Sequence, residues 1–258
     1  MKQDIRHTVA ALLLVAALPV FWLVCAFALP PQYDATFLGA LAPKYDRLRD
    51  TAGDEGRIVV VGGSSVVFGL DSAAMQTALG RTVVNFGMYA GLGTTVMLDL
   101  SQPWLQAGDT VIVSPEQDPQ TLSGYFGPDY LWQAADGAPR LLRLPPKYWA
   151  QLAGAFPAFA SDKLRCTLQG KPQPDGVYAA AALTDAGDLR TGLATANTMP
   201  GGWDLNTPVR LEPSVCSEAF LDALNAYCDA LTARGVTVYY HFPPMNTAAL
   251  TADSDADA

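Results

Sequence analysis

The sequence predicts an α/β domain, doubly wound around a mostly parallel sheet and preceded by an N-terminal transmembrane helix. Three observations carry that expectation. Arg57 to Val61, Thr82 to Asn85 and Thr110 to Ser114 are short runs of β-branched and apolar residues. Without alternation, they read as strands buried on both faces, as a parallel sheet requires. Segments with apolar residues at helical spacing separate these runs, which is the pattern of a sheet with helices on both faces. Ahead of the domain, Thr8 to Leu29 forms an apolar run of about the 20 residues that cross a bilayer.

Taken in order, residues 1–29 read as a short cytoplasmic tail and anchor, with Lys2 and Arg6 ahead of the apolar run and Pro19 inside it. The run exceeds the core of a cleaved signal peptide, although Ala26-Phe27-Ala28 has the form of a cleavage site. The basic N-terminus places the tail inside and the domain outside the cytoplasm. Pro30-Pro31 ends the helix, and residues 30–56 read as an amphipathic stalk and a polar linker.

The domain proper spans 57–246. Its first strand breaks at Gly62-Gly63, which leaves Ser64 at the C-terminal edge where open α/β sheets bind ligands. The turn is either a plain strand-to-helix connection or the seat of a nucleophile. No phosphate-loop or dinucleotide fingerprint is met. Asp71 suits an N-cap for a helix from Ser72 to Leu79, with Gly80 as its left-handed terminus. The second strand runs into Phe86-Gly87, where glycine permits a close backbone approach or an ordinary connection. Thr94 to Gln106 carries Val96, Met97, Leu100, Trp104 and Leu105 on one helical stripe. The third strand ends at Ser114-Pro115-Glu116, and Glu116 is either solvated or placed to bind. Aromatic residues and prolines from Leu122 to Pro157 suggest short helices over the site, either lining a pocket or, as favoured, packed on the core as a lid.

Residues 166–213 read as an irregular insertion, with a weak extended piece at Val177 to Leu183. Glu212 to Ala233 reads as an amphipathic helix, and Val236 to His241 as the last strand. Residues 247–258 read as a small, acidic tail, the end of a truncated domain.

Half the 258 residues are apolar and 16% are charged, which excludes disorder for the bulk of the chain. A net charge of −9 argues against nucleic acid or anionic lipid as the main partner. Outside the anchor are Cys166, Cys216 and Cys228; an exported domain permits one bridge, and Cys166 with Cys216 is the expected pair. Their spacing fits no zinc pattern, the only histidines are His7 and His241, and no metal or cofactor is expected.

The turn Gly62-Gly63-Ser64, the following Phe68-Gly69-Leu70-Asp71-Ser72, the aromatic Gln32-Tyr33-Asp34 after the anchor and Asn85-Phe86-Gly87 together resemble the SGNH hydrolase superfamily, the GDSL-type esterases. The likeness is to its membrane-anchored cell-surface branch, similar to the D-alanine transfer protein of teichoic acid operons and to polysaccharide O-acetyltransferases. It implies a flavodoxin-like layout, Ser64 as nucleophile and Gly87 as an oxyanion donor, with Ser65 and Glu116 lining the substrate. The implied substrate is an acylated surface polysaccharide or similar acyl ester, with membrane lipid met through the anchor and a membrane-bound acyltransferase as a further partner.

Two departures qualify the likeness. The family's Gly-x-Asn-Asp block is replaced by Ser114-Pro115-Glu116-Gln117, and no Asp-x-x-His block follows. A carboxylate repels an oxyanion, and a serine hydroxyl without a base is a weak nucleophile. His241 is the one remaining candidate base, against a structural role at the sheet edge. The expectation is an esterase or O-acyltransferase impaired by truncation, with a non-catalytic scaffold of an envelope-modification system as the alternative.

Overall fold

The computed structural model describes residues 2–194 and 213–244. The chain opens with α1 (Lys2–Phe27), continuous through Pro19, followed by α2 (Leu41–Asp50). Next come β1 (Ile58–Gly62), α3 (Ser64–Gly69), α4 (Ser72–Leu79) and β2 (Val83–Gly87). After α5 (Thr94–Ser101) and β3 (Thr110–Ser114) come α6 (Pro128–Ala134), α7 (Trp149–Gln169) and α8 (Thr191–Ala194). The described chain closes with α9 (Glu218–Thr232) and β4 (Thr237–Tyr240).

The four strands pair in the order β2-β1-β3-β4, all parallel. From β1 the chain first steps outward to β2 and then returns to the other side of β1 as β3. The order therefore reverses between β1 and β3, and such a switch point is where open α/β sheets hold ligands. Register brings three chain ends level there: Gly62 pairs with Gly87 on one side and with Ser114 on the other.

Strand alternation divides the core in two. Val59, Val61, Val84, Phe86, Val111 and Val113 join the larger cluster, with Leu41, Tyr45 and Leu48 of α2, Leu98 of α5 and Leu231 of α9. Ile58, Val60 and Val83 face the other way, against Val66 of α3, Leu70 and Met75. Val59 and Val61 are wholly buried, each worth about 2 kcal/mol of hydrophobic transfer. β1 and β2 are buried at every position, whereas Thr237 and Tyr239 of β4 are exposed.

Arg57 enters β1 at the N-terminal edge with no solvent exposure. Its Nε and Nη2 both donate to Asp109 Oδ2 at 3.1 Å, Nη1 donates to Leu48 O and Thr51 Oγ1, and Nη2 also donates to Trp104 O. All five guanidinium N–H groups are thereby used.

The structure corrects the sequence reading in three places. Residues 30–56 are no stalk, because Tyr33, Phe37, Leu38, Leu41, Tyr45 and Leu48 are buried in the main core. The amphipathic spacing of this stretch serves the domain, not a spacer. The extended piece at 177–183 is two 3-10 turns, Gly176–Tyr178 and Ala180–Ala182, with only single bridges Thr36 to Ala179 and Leu183 to Leu189. The aromatic stretch does pack on the core through Phe126, Leu131 and Trp132, but it leads into one 21-residue helix, α7, that carries Pro157.

Among the described residues, no helix is long and apolar enough to cross a membrane. In α1 the side chains at 2–5, 9, 10 and 12–14 lie outside the described residues. Those described include exposed Val15, Leu18, Val20, Phe21, Leu23, Val24 and Phe27. The expected tail at 247–258, and residues 195–212 of the expected insertion, also lie outside the described residues.

Candidate functional site

Ser64 opens α3 directly after Gly63, and both Ser64 and Ser65 are half-buried. The Ser64 hydroxyl donates to Glu116 Oε1 at 3.3 Å, and the Ser65 amide donates to the same oxygen at 2.8 Å. Glu116 thus turns inward from the end of β3 and is not a solvated loop residue. Its loop is held by Thr121, whose hydroxyl donates to Glu116 O at 2.5 Å, and by Asp118, which accepts from the amides of Gln120 and Thr121.

The double glycine makes room for this carboxylate. A Cβ on Gly63 would stand 1.8 Å from Glu116 Oε2 and 2.3 Å from Oε1. One on Gly62 would stand 2.2 Å from Ser114 O. Glu116 Oε2 and Ser65 Oγ are buried without a hydrogen-bond partner among the described residues. Buried polar atoms are seldom left so, and Arg47 Nε and Trp104 Nε1 are two others among the described residues.

Gly87 lies level with Gly62, but it does not supply the expected oxyanion donor. Its amide donates to Asn85 Oδ1 at 3.0 Å, and its carbonyl accepts from Lys44 Nζ at 2.9 Å. Glycine is needed here for packing, since a Cβ would lie 2.6 Å from Val66 Cβ and 2.8 Å from Gly63 O. His241, weighed as base or as edge residue, sits at the sheet edge. Its Nδ1 lies 3.0 Å from Ser114 Oγ, its amide donates to Val113 O, and the side chain is exposed. It therefore prolongs the β3–β4 pairing, and among the described residues the Ser64 hydroxyl bonds to Glu116.

Beneath Ser64 lies a polar network that the sequence did not disclose. Lys44 Nζ, buried, reaches Asn85 O at 3.3 Å, Asn85 Oδ1 at 3.2 Å and Gly87 O at 2.9 Å. Asn85 Nδ2 donates to Val66 O at 3.0 Å and to Asp188 Oδ1 at 2.8 Å. Asp188 also accepts from the Ser72 amide and hydroxyl, both at 2.8 Å. Burial holds the Lys44 ammonium at about 7, with Asp188 pulling the other way. The network ties α2, β2, α3, α4 and the 184–189 loop together. Its one signal in the sequence is Asn85, a polar residue in an otherwise apolar strand.

All four cysteines are free, which removes the expected Cys166 to Cys216 bridge. Cys166 is buried in α7 with its Sγ 4.0 Å from the Tyr33 hydroxyl. Cys216 precedes α9 beside Tyr240, and burial pushes its thiol up. Among the described residues no cluster of three or more His, Cys, Asp or Glu is arranged to hold a metal. Cavities of about 400 and about 380 Å³ open away from Ser64.

The arrangement can accept one proton from Ser64 onto a fixed carboxylate. It offers no imidazole to the hydroxyl. Comparison with protein-family models, with curated proteins and with solved structures gives no match.

Proposed function

We propose that this chain is a membrane-anchored, extracytoplasmic serine esterase or O-acyltransferase of the SGNH type, acting on acyl esters of cell-surface polymers. The observation that carries the reading is the seat of Ser64, at the switch point of a parallel sheet with its hydroxyl on the Glu116 carboxylate. In the proposed step Ser64 Oγ attacks the ester carbonyl and its proton passes to Glu116 Oε1. The bond to the alcohol then breaks and the alcohol leaves with that proton. Water, or a second hydroxyl, releases the acyl group from Ser64. A carboxylate is a weaker base than imidazole, so turnover is expected to be slow. The exposed apolar side chains of α1 support the anchor, and Lys2 with Arg6 supports an inside tail. The partners proposed are an acylated surface polysaccharide and a membrane-bound acyltransferase.

The test is labelling of the folded full chain by a fluorophosphonate probe. Wild type should label, and Ser64→Ala should lose the label while keeping its circular dichroism. An unlabelled wild type with an intact fold would sink the enzyme reading.

One pair of observations favours a second reading, a non-catalytic binding or scaffold protein of an envelope-modification system. The Gly87 amide is taken by Asn85, and His241 is bonded to Ser114. Retention of an acylated polymer by unlabelled protein, unchanged in Ser64→Ala, is what that reading expects.

A further inference from the structure

The end of α1 is bonded into the domain. Cys25 and Ala26 are buried, and the buried Lys163 donates from Nζ to Ala26 O at 2.7 Å. The same ammonium pairs with Asp136 Oδ1 at 2.7 Å, and Asp136 Oδ2 accepts from the Gln32 amide at 2.6 Å. Lys163 thereby caps the last turn of α1 and ties it to α7.

Beside this join, α1 and the first half of α7 enclose an open apolar groove of about 380 Å³, lined by Leu23, Phe27, Trp132, Trp149, Leu152 and Phe156 among others. Phe27 stacks on Phe156 with ring centroids 6.2 Å apart. Leu23, Phe27 and Trp149 are 49%, 58% and 58% exposed, so the groove is continuous with the bare apolar surface of α1. Depth follows from helix geometry. A span ending at Phe27 puts that residue at the edge of the hydrocarbon, and Leu23, four residues back, lies about 6 Å deeper. The start of α7 packs beside both residues and must share their depth. Trp149 and the exposed Arg143, whose guanidinium has no partner among the described residues, supply the aromatic and cationic groups that suit a headgroup layer.

From this we infer that the groove between α1 and α7 is a membrane-docking face, occupied by acyl chains of the bilayer that α1 enters. It rests on the reading of α1 as an anchor. The domain lies down on the lipid, with Trp149 at the interface and Arg143 at the phosphate. The charge of the whole chain is no obstacle, since the contact is apolar and local and suits a zwitterionic lipid.

The experiment uses the full chain in phosphatidylcholine nanodiscs, with acyl chains either plain or brominated near the headgroup. Tryptophan emission is compared among wild type, Trp149→Phe and Trp22→Phe, so that each difference gives the share of one indole. Brominated lipid should cut the Trp149 share by roughly twofold or more, as for an interfacial indole, and should also cut the Trp22 share. A quenched Trp22 with an unquenched Trp149 would leave the anchor standing and overturn the docking face. Trp149 unquenched by bromine yet shielded from aqueous iodide would mean cover by protein, which also overturns it. If neither share is quenched, the anchor fails and the docking face with it.

Discussion

At the N-terminal edge of the sheet Arg57 is buried with Asp109, and each of its donors is spent. At the C-terminal edge Glu116 is turned inward as well, yet one of its oxygens and the neighbouring Ser65 hydroxyl have no partner among the described residues. Both edges hold charge against the same strand, β1. A completed network contributes rigidity, and an incomplete one gives up stability for a group poised to interact. On the proposed reading, the Arg57 pair serves the fold and the Glu116 carboxylate serves the reaction.

The largest expected effect tests the first half of that contrast. Arg57→Met removes five donors and strands the Asp109 carboxylate in the interior. Breaking a buried pair in this way costs about 3–5 kcal/mol, or roughly 10 °C in Tm for a chain of this size. Glu116→Gln should shift Tm by no more than about 2 °C, because it leaves the packing intact. Thermal melts of the full chain in detergent decide it, and equal shifts for the two variants would remove the distinction.

A second, smaller effect concerns Lys44, which sits at the functional edge but is fully bonded. Its three acceptors use every proton of the charged form, while burial disfavours that form and holds the group at about 7, below the ordinary 10.5. Between those values the unfolded chain binds more protons than the folded one. Stability therefore rises as pH increases through this window, and below about 7 the burial penalty is present in full. The limiting slope is about 1.4 kcal/mol per pH unit. Urea midpoints at pH 7 and pH 9 should rise for wild type relative to Lys44→Met, and parallel profiles would show that Lys44 does not titrate in this range.

How much of this was legible in the sequence depends on the range of the interactions. β3 and α4 were readable to their bounds, with Asp71 accepting from the Ala74 amide and Gly80 in the left-handed region, because caps and burial runs are local. The level placement of Ser64, Gly87 and Glu116 followed from parallel connections. Side-chain pairing did not follow. Lys44 lies on the core-facing stripe of what reads as a stalk, and Asp188 lies in a stretch of Gly, Asp and Thr, so their meeting is a tertiary fact whose one trace in the sequence is Asn85, a polar residue in an apolar strand. The Gly87 amide is lost to a side chain two residues earlier, which a strand pattern cannot reveal. The length of α7 was hidden by Pro157, a residue that normally breaks a helix.

The smallest expected effect is the sharpest probe of the functional edge. A methyl on Gly63 would fall 1.8 Å from Glu116 Oε2, so Gly63→Ala must push the carboxylate away and break its bonds to the Ser64 hydroxyl and the Ser65 amide. The clash is with the far end of a flexible side chain, so the cost is the lost charge-assisted hydrogen bonding, about 1–2 kcal/mol. Glu116→Ala alone loses the same bonds. In the double variant the methyl enters space that the carboxylate has vacated, and the second change should add almost nothing. The cycle should therefore give a coupling of about 1 kcal/mol, measured by urea titration. Additive losses would mean that the carboxylate is not what Gly63 makes room for, and that the double glycine is a plain turn rather than a seat made for Glu116.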